Sequence, residues 1–401
     1  MEPVIGGTAR ARDDETSAVR PARVRRPPAD DDLLEGIAGR LGLPVAGAVF
    51  FDVLHRGDDH YAKLLDAIAG AGREVAIEMY QIRPDDVGVT VAAALVRAAA
   101  RGVRVRLLAD AWGSSRFAGW LDVLRAAGAE ARWYRPWRPW NNPLRRTHRK
   151  LIVIDGAVAS IGGMNLGCEF SESLSRGRSW CDVSVWLGGP VVDLLAAQFE
   201  ATWTGCRSVP AAAARMGGGE RSRCAVAGGA CGSSGHADAY RALADSASRE
   251  LLIATPYFIP DAGFRTRLVA AVGRGVRVTV VVPRSPDIPP FKHAARRLFQ
   301  GLLDAGVRIA ERRDRMVHAK VVVVDRLVAA VGSTNVNRLS FYCNSEATIL
   351  TDDRRVVDHM TAFIVDESCP RAEFLTRSSW TTHPARRKFA EFLAAPVSAL
   401  F

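Results

Sequence analysis

Two stretches decide how this chain is read. The first is His148-Arg-Lys150-Leu-Ile-Val-Ile-Asp155, closed by Gly162-Gly163-Met-Asn165; the second is His318-Ala-Lys320-Val-Val-Val-Val-Asp325, closed by Gly332-Ser333-Thr-Asn335. In both, Lys follows His by two positions, Asp by seven, Gly by fourteen and Asn by seventeen, and the two histidines stand 170 positions apart. The branched apolar run after each Lys reads as a strand, and in the first copy Asp155-Gly156 is a turn into a second short strand over Ala157–Ile161. A lone His-x-Lys carries no information. Two full copies with equal internal spacing do.

The residue types point to chemistry at a phosphodiester. Histidine serves as nucleophile or general acid near neutral pH. Lys supplies fixed positive charge and Asn donates hydrogen bonds, so two facing copies surround a phosphodiester with donors and stabilise a pentacoordinate transition state. Two histidines also divide the work: one attacks phosphorus while the other protonates the leaving oxygen. The expected intermediate is a phosphohistidine resolved by an alcohol or water. Lys and Asn do the charge-stabilising work that a metal does elsewhere, so neither metal nor other cofactor is expected.

Working outward, the two copies sit in matching surroundings. Helices are expected over Asp58–Ala71, Val89–Ala100 and Trp120–Ala127, alternating with strands over Val75–Gln81, Val103–Ala109 and Ala131–Tyr134. The order recurs with helices at His236–Ser248, Phe264–Gly273 and Lys292–Ala305, and strands at Leu251–Tyr257, Val276–Val282 and Val307–Glu311. Arg101-Gly-Val-Arg-Val and Arg274-Gly-Val-Arg-Val occupy equivalent places, which makes duplication the simplest account. Alternating strands and helices predict an α/β class with a parallel or mixed sheet.

The 401 residues are ample for two domains with a large core, and 48% hydrophobic with 24% charged residues is globular composition. No apolar run reaches the roughly 18–20 residues of a membrane-spanning helix, and the N-terminus has no signal-peptide core, so a cytoplasmic protein is expected. A net charge of +11 favours an anionic partner, either a bilayer surface or nucleic acid. Seven cysteines without Cys-x-x-Cys spacing read as reduced thiols. Trp133-Tyr-Arg-Pro-Trp137-Arg-Pro-Trp140 interleaves aromatics with arginines, which suits a bilayer interface or stacked bases; Trp137 and Trp140 are expected on an exposed loop.

The doubled motif resembles that of the phospholipase D superfamily. Further stretches resemble bacterial cardiolipin synthases of the type without transmembrane helices. They are Glu78-Met-Tyr-Gln-Ile, Asp110-Ala-Trp-Gly-Ser, Arg146-Thr-His-Arg-Lys, Trp180-Cys-Asp-Val-Ser-Val-Trp-Leu-Gly-Gly-Pro190, Thr255-Pro-Tyr-Phe-Ile-Pro260 and Asn337-Arg-Leu-Ser-Phe-Tyr-Cys-Asn-Ser-Glu346. The resemblance implies a duplicated phospholipase D-like fold: two α/β/α sandwich units with mixed sheets, packed as a pseudo-twofold pair. The expected divisions are a disordered tail (1–45), a first domain (46–206), a linker or loose loop (207–235), a second domain (236–376) and a C-terminal tail (377–401).

The resemblance also implies roles. His148 is the nucleophile and His318 the general acid; Lys150, Lys320, Asn165 and Asn335 hold phosphate oxygens, helped by Ser333. A carboxylate from each half orients its histidine, and Glu346 and Asp182 fit that place. Asp155 and Asp325 complete the catalytic motif, mainly as structural residues at the turn. Two departures stand out: Gly163 where the general motif has Ser, and Cys181 and Ser184 where relatives have Arg and His. The implied activity is phosphatidyl transfer, two phosphatidylglycerols giving cardiolipin and glycerol, with hydrolysis to phosphatidic acid as the alternative and nucleic-acid cleavage a distant third. The implied setting is peripheral attachment to an anionic phospholipid membrane at its inner face, with phosphatidylglycerol as substrate, no nucleic-acid partner, and a monomer sufficient for catalysis.

Overall fold

A computed structural model describes residues 33–136, 141–206, 222–229 and 234–377. Its framework is one fifteen-stranded mixed sheet. The first half contributes β1 (Val45–Leu54), β2 (Glu74–Met79), β3 (Arg104–Asp110), β4 (Glu130–Tyr134), β5 (Lys150–Ile154), β6 (Val158–Gly162) and β7 (Ser184–Gly188). The second contributes β8 (Ser222–Gly229), β9 (Glu250–Ala254), β10 (Arg277–Pro283), β11 (Arg308–Arg312), β12 (Val321–Val324), β13 (Val328–Gly332), β14 (Glu346–Thr351) and β15 (Ala372–Phe374).

The first half is ordered β1-β7-β6-β5-β2-β3-β4 and the second β8-β14-β13-β12-β9-β10-β11, with β15 added at the outer edge. Equivalent strands occupy equivalent places, so the duplication is structural as well as sequential. The halves join where β1 pairs antiparallel with β8, Val45 opposite Ala225 and Ala46 opposite Cys224.

Helices cover both faces. On the outer face of the first half lie α2 (Gly57–Gly70), α3 (Asp86–Ala100) and α4 (Ala118–Ala126); on that of the second lie α1 (Leu33–Leu41), α6 (Gly235–Ser246), α7 (Ala262–Gly273) and α8 (Pro289–Asp304). The inner faces of both halves share one apolar cluster with α5 (Val191–Thr204) and α9 (Arg354–Ala362). That burial on both faces is why β5 and β12 are uninterrupted apolar runs instead of alternating ones. Within β5, Leu151 and Val153 point into the shared cluster while Ile152 and Ile154 point to the outer one.

Two divisions of the sequence need correction. Leu33–Leu41, inside the expected disordered tail, is a helix that buries Leu33, Leu34, Ile37 and Ala38. These four form one helical stripe, which the polar composition of the residues before it obscured. Ser222–Gly229, inside the expected linker, is a strand between β14 and β1. Its small residues serve close packing: a Cβ on Gly228 would lie 2.3 Å from the Gln198 amide on α5. The N-terminal stretch before Leu33, Trp137, Trp140 and the tail beyond Arg377 lie outside the described residues.

Candidate active site

Strand periodicity builds the site. Residues two apart project from the same face, so His148 and Lys150 share one side of the β5 line and Arg149 takes the other. Lys150 pairs with Met79 at the carboxyl end of β2, and the Tyr80 N–H donates to the Arg149 carbonyl at 3.2 Å. His148 therefore stands just past the ends of the parallel strands, with the Tyr80 ring 4.8 Å from its own. His318 is placed likewise ahead of β12, packed against Phe170 and Trp180 at 5.3 and 5.1 Å between ring centroids.

The carboxylates pair across the halves. Nδ1 of His148 lies 3.1 Å from the Glu346 carboxylate, and Nδ1 of His318 lies 2.5 Å from Asp182 Oδ2. The sequence expectation gave each histidine a carboxylate of its own half; the fold exchanges them. Backbone contacts explain why. The His148 N–H donates to the Ser345 carbonyl at 2.9 Å, and the His318 N–H to the Cys181 carbonyl at 2.7 Å. Each histidine segment thus runs beside the segment that leads into the other half's carboxylate, and the two half-sites interlock.

Tautomers follow from these partners. His148 Nδ1 faces both a carboxylate and, at 3.1 Å, the Ser333 carbonyl, so it carries the hydrogen and leaves Nε2 with a lone pair. For His318 the Asp182 carboxylate imposes the same tautomer. Lys320 Nζ lies 2.9 Å from that Nδ1 and donates to the His318 carbonyl; its effect on the ring is electrostatic. Lys150 Nζ donates to the His148 carbonyl at 2.6 Å.

All of these groups are buried, and burial dominates their protonation. It pushes His318 down to about 3, aided by the Lys320 charge, and lowers His148 against the pull of Glu346. Lys320 falls to about 8 through burial, and Lys150 lies well below the usual lysine range through burial and the nearby charge of Lys320. Burial alone would raise both carboxylates. His148, Lys150 and the Ser333 hydroxyl instead hold Glu346 at about 2, and Lys320 with His318 holds Asp182 below its ordinary value. The site thus joins two carboxylates held anionic, two imidazoles whose burial favours the neutral form, and two lysines whose burial disfavours the charged form, a cost that an arriving anion would relieve.

The remaining candidates divide. Asn165 and Asn335 are both buried beside the histidines' loops; Asn165 Oδ1 accepts from the Gln81 N–H at 3.2 Å, which leaves its NH₂ available. Asn335 Oδ1 has no hydrogen-bond partner among the described residues. Tyr61 on α2 and Tyr240 on α6 brace these loops, donating to the carbonyls of Asn165 and Thr334, each at 2.8 Å. Ser333 Oγ donates to Glu346 at 2.5 Å, so it positions a carboxylate instead of pointing free.

Asp155 and Asp325 are not at the site. They stand at the far ends of β5 and β12 with φ of +54° and accept backbone N–H groups of residues 72–74 and 248–250. They close the turn that enters β2 and β9, and they touch none of the histidines' partners.

Gly163, the departure from the general motif, is explained by space: a Cβ there would lie 2.2 Å from Asp182 Oδ1. The sequence reading missed Arg149. Its fully buried guanidinium donates to the Gln198 side chain and carbonyl at 2.8 Å, the Gly229 carbonyl at 2.9 Å and Glu78 Oε2 at 3.4 Å, while its Nε donates to the Glu346 carbonyl at 3.0 Å. The available signal was asymmetry: the equivalent residue is Ala319, in the shared apolar cluster.

Comparison with known proteins agrees with this geometry. A family model described as "Cardiolipin synthase, PLD-like domain" matches residues 64–203 and 240–365, one segment on each motif. A cardiolipin synthase of Geobacillus thermodenitrificans is 34% identical over 83% of this chain and 68% of its own length. Cardiolipin synthase B of Escherichia coli K12 is 34% identical over 75% of this chain and 76% of its own. The crystal structure of phosphatidylserine synthase from Haemophilus influenzae superposes with a TM-score of 0.70 at 13% identity, covering 92% of this chain and 99% of that one, which shows a common fold. On these matches, the chain belongs to the cardiolipin synthase family of phospholipase D-like proteins.

Proposed function

We propose that this protein transfers a phosphatidyl group between two phosphatidylglycerol molecules, giving cardiolipin and glycerol. The observation that carries the reading is the crossed pair of buried imidazoles, each oriented through Nδ1 by the other half's carboxylate, with two lysines beside them. His148 Nε2 attacks phosphorus, forming a P–N bond as the P–O bond to the headgroup glycerol breaks. His318 Nε2 gives its proton to that oxygen. The bound phosphodiester anion supplies the negative charge that, with Asp182, raises His318 enough to hold this proton. In the second half-reaction His318 takes the proton of a glycerol hydroxyl on another phosphatidylglycerol, whose oxygen attacks phosphorus and releases His148. The proton count closes over the cycle, and Lys150, Lys320, Asn165 and Asn335 stabilise charge on the nonbridging oxygens.

The short contact of His318 with Asp182 supports its role as the acid, since the carboxylate opposes the burial that otherwise keeps the ring neutral. Both half-sites lie in one chain, which supports a monomer as the working unit. Among the described residues no helix is long and apolar enough to cross a membrane. Peripheral attachment at the inner membrane face has support from two exposed apolar residues. Trp112, 63% exposed, and Ile288, 39% exposed, stand on the loops after the equivalent strands β3 and β10. Ser114 of the Trp112 loop donates to the Tyr80 carbonyl at 3.0 Å, which ties it to the rim above His148.

The test is incubation of the purified protein with labelled phosphatidylglycerol in mixed micelles containing a chelator. Cardiolipin with free glycerol is the expected product. Phosphatidic acid alone would make water the acceptor, and cleavage of nucleic acid without lipid turnover would overturn the lipid reading.

A further inference from the structure

On the side of the β5 line opposite His148, where Arg149 points, lies a cavity lined by none of the residues assigned to the proposed reaction. It has a volume of about 440 Å³ and is bounded by the end of β4, the residues ahead of His148 and the last turn of α5. Arg132, Arg135, Arg145, Trp133 and Trp203 define its character. No carboxylate is among the described residues that line it.

Described residues compensate the charges there poorly. Arg149 also reaches the cavity wall, but its donors are engaged in the network described above. Arg132 stacks over the Trp203 ring at 4.0 Å and meets Glu130 only at 3.5 Å. Arg135 and Arg145 form no salt bridge with any described residue, although both are half-buried. Arg135 also holds a φ of +43°, a left-handed backbone that an arginine rarely adopts, and Arg146 fixes it by donating to the Arg135 carbonyl at 3.1 Å. Partly desolvated guanidinium groups repel one another unless an anion joins them, and their planar forks match phosphate oxygens in pairs. Aromatic walls beside such a fork accept the glycerol and upper acyl carbons of a lipid.

We infer that this cleft binds the headgroup phosphate of an anionic phospholipid, separately from the lipid undergoing reaction. Choosing a lipid over other phosphates rests on the proposed reaction; the phosphate chemistry does not. The cleft is linked to the centre through backbone. Ser345 lines it, and the Ser345 carbonyl receives the His148 N–H at 2.9 Å while its N–H donates to the Arg146 carbonyl at the same distance. An occupant gripping Arg145 and Arg135 therefore holds the segment that presents His148.

The experiment uses the full chain carrying His148→Ala, so that lipid is bound without turnover, and measures co-sedimentation with vesicles of phosphatidylglycerol in phosphatidylcholine. Adding Arg135→Ala and Arg145→Ala is expected to weaken binding about tenfold or more, in line with roughly fivefold per arginine at an anionic surface. Arg135→Lys with Arg145→Lys keeps the charge and loses the fork, and is expected to recover only part of the affinity. As a control for removal of surface charge elsewhere, Arg297→Ala with Arg265→Ala is expected to cost less. Binding by the double alanine variant equal to that of its parent, with unchanged circular dichroism, would overturn the site. Competition by inorganic phosphate as strong as that by water-soluble short-chain phosphatidylglycerol would replace the lipid with free phosphate, and preference for a single-stranded oligonucleotide would do so with nucleic acid. Cardiolipin formation by the unmodified chain is measured in parallel; its absence would count against the proposed reaction and not against the phosphate site.

Discussion

Asp182 Oδ2 in the first half lies 2.5 Å from Nδ1 of His318 in the second, and Glu346 returns the contact to His148 at 3.1 Å. Neither half holds a complete acid–base pair. Under the proposed mechanism, catalytic competence depends on the β1–β8 junction and the interlocked segments that bring the halves together. This arrangement makes the two carboxylates separable by experiment.

Asp182→Asn and Glu346→Gln should each lower turnover of phosphatidylglycerol by roughly 10²–10⁴, the usual range for an acid–base partner. They should differ when the leaving group needs no proton. In the burst phase on a p-nitrophenyl phosphodiester Asp182→Asn releases nitrophenolate nearly as fast as the parent, because His318 has no proton to deliver in that half-reaction, whereas Glu346→Gln stays slow; in the steady state both stay slow, since His318 must still take the acceptor's proton. Equal losses in that burst would contradict the division of labour between His148 and His318.

Gly163→Ser should do more harm than Ser333→Gly, although each makes the two motifs alike. A Cβ at 163 meets the Asp182 carboxylate at 2.2 Å and forces it off His318. The expected cost is about 1–3 kcal/mol of stability together with most of the activity. Ser333→Gly removes a donor to Glu346 and an acceptor of the Ala347 N–H, but pushes no group aside. Thermal midpoints and steady-state rates of the two variants check the order.

Stability should fall in mild acid, and part of the fall should come from histidines outside the site. His60 and His236 are buried and pushed down to about 4 by that burial. The unfolded chain takes up protons on both below about pH 6.5 while the native one does not until about pH 4, so stability declines across that window and rises with pH. Each histidine contributes about 2 kcal/mol to the loss between pH 7 and 5. Urea unfolding at both pH values should show a smaller difference for His60→Gln and His236→Gln than for the parent; an unchanged slope would place the titration elsewhere.

Arg149→Met should destabilise by about 3–5 kcal/mol, since it leaves the buried Glu78 carboxylate without its cation and takes one donor from each of three backbone carbonyls. Adding Glu78→Leu removes the orphaned charge and should restore part of that loss. Denaturant midpoints of the single and double variants measure it. A single variant as stable as the parent would show that the network is not what ties the halves together.

Much of this protein was already written in local pattern. The repeated His-x-Lys with branched runs, the matching helix and strand order, and the equal spacing to Asn165 and Asn335 determined a duplicated α/β fold and which residue types it would bring together. These signals survive in sequence because strand and helix periodicities are set by residues close along the chain. What lay beyond reach depends on contacts between distant segments. The residues of 33–41 and 222–229 are weak signals alone; they become a helix and a strand because the second half's outer helices and the junction with β1 bury them. The exchange of Asp182 and Glu346, the space that only Gly163 leaves, and the grip of Arg149 on both halves arise where segments far apart along the chain meet. Their energies come from burial and from pairing charge in a dry interior, and no local periodicity records which partner the fold will supply.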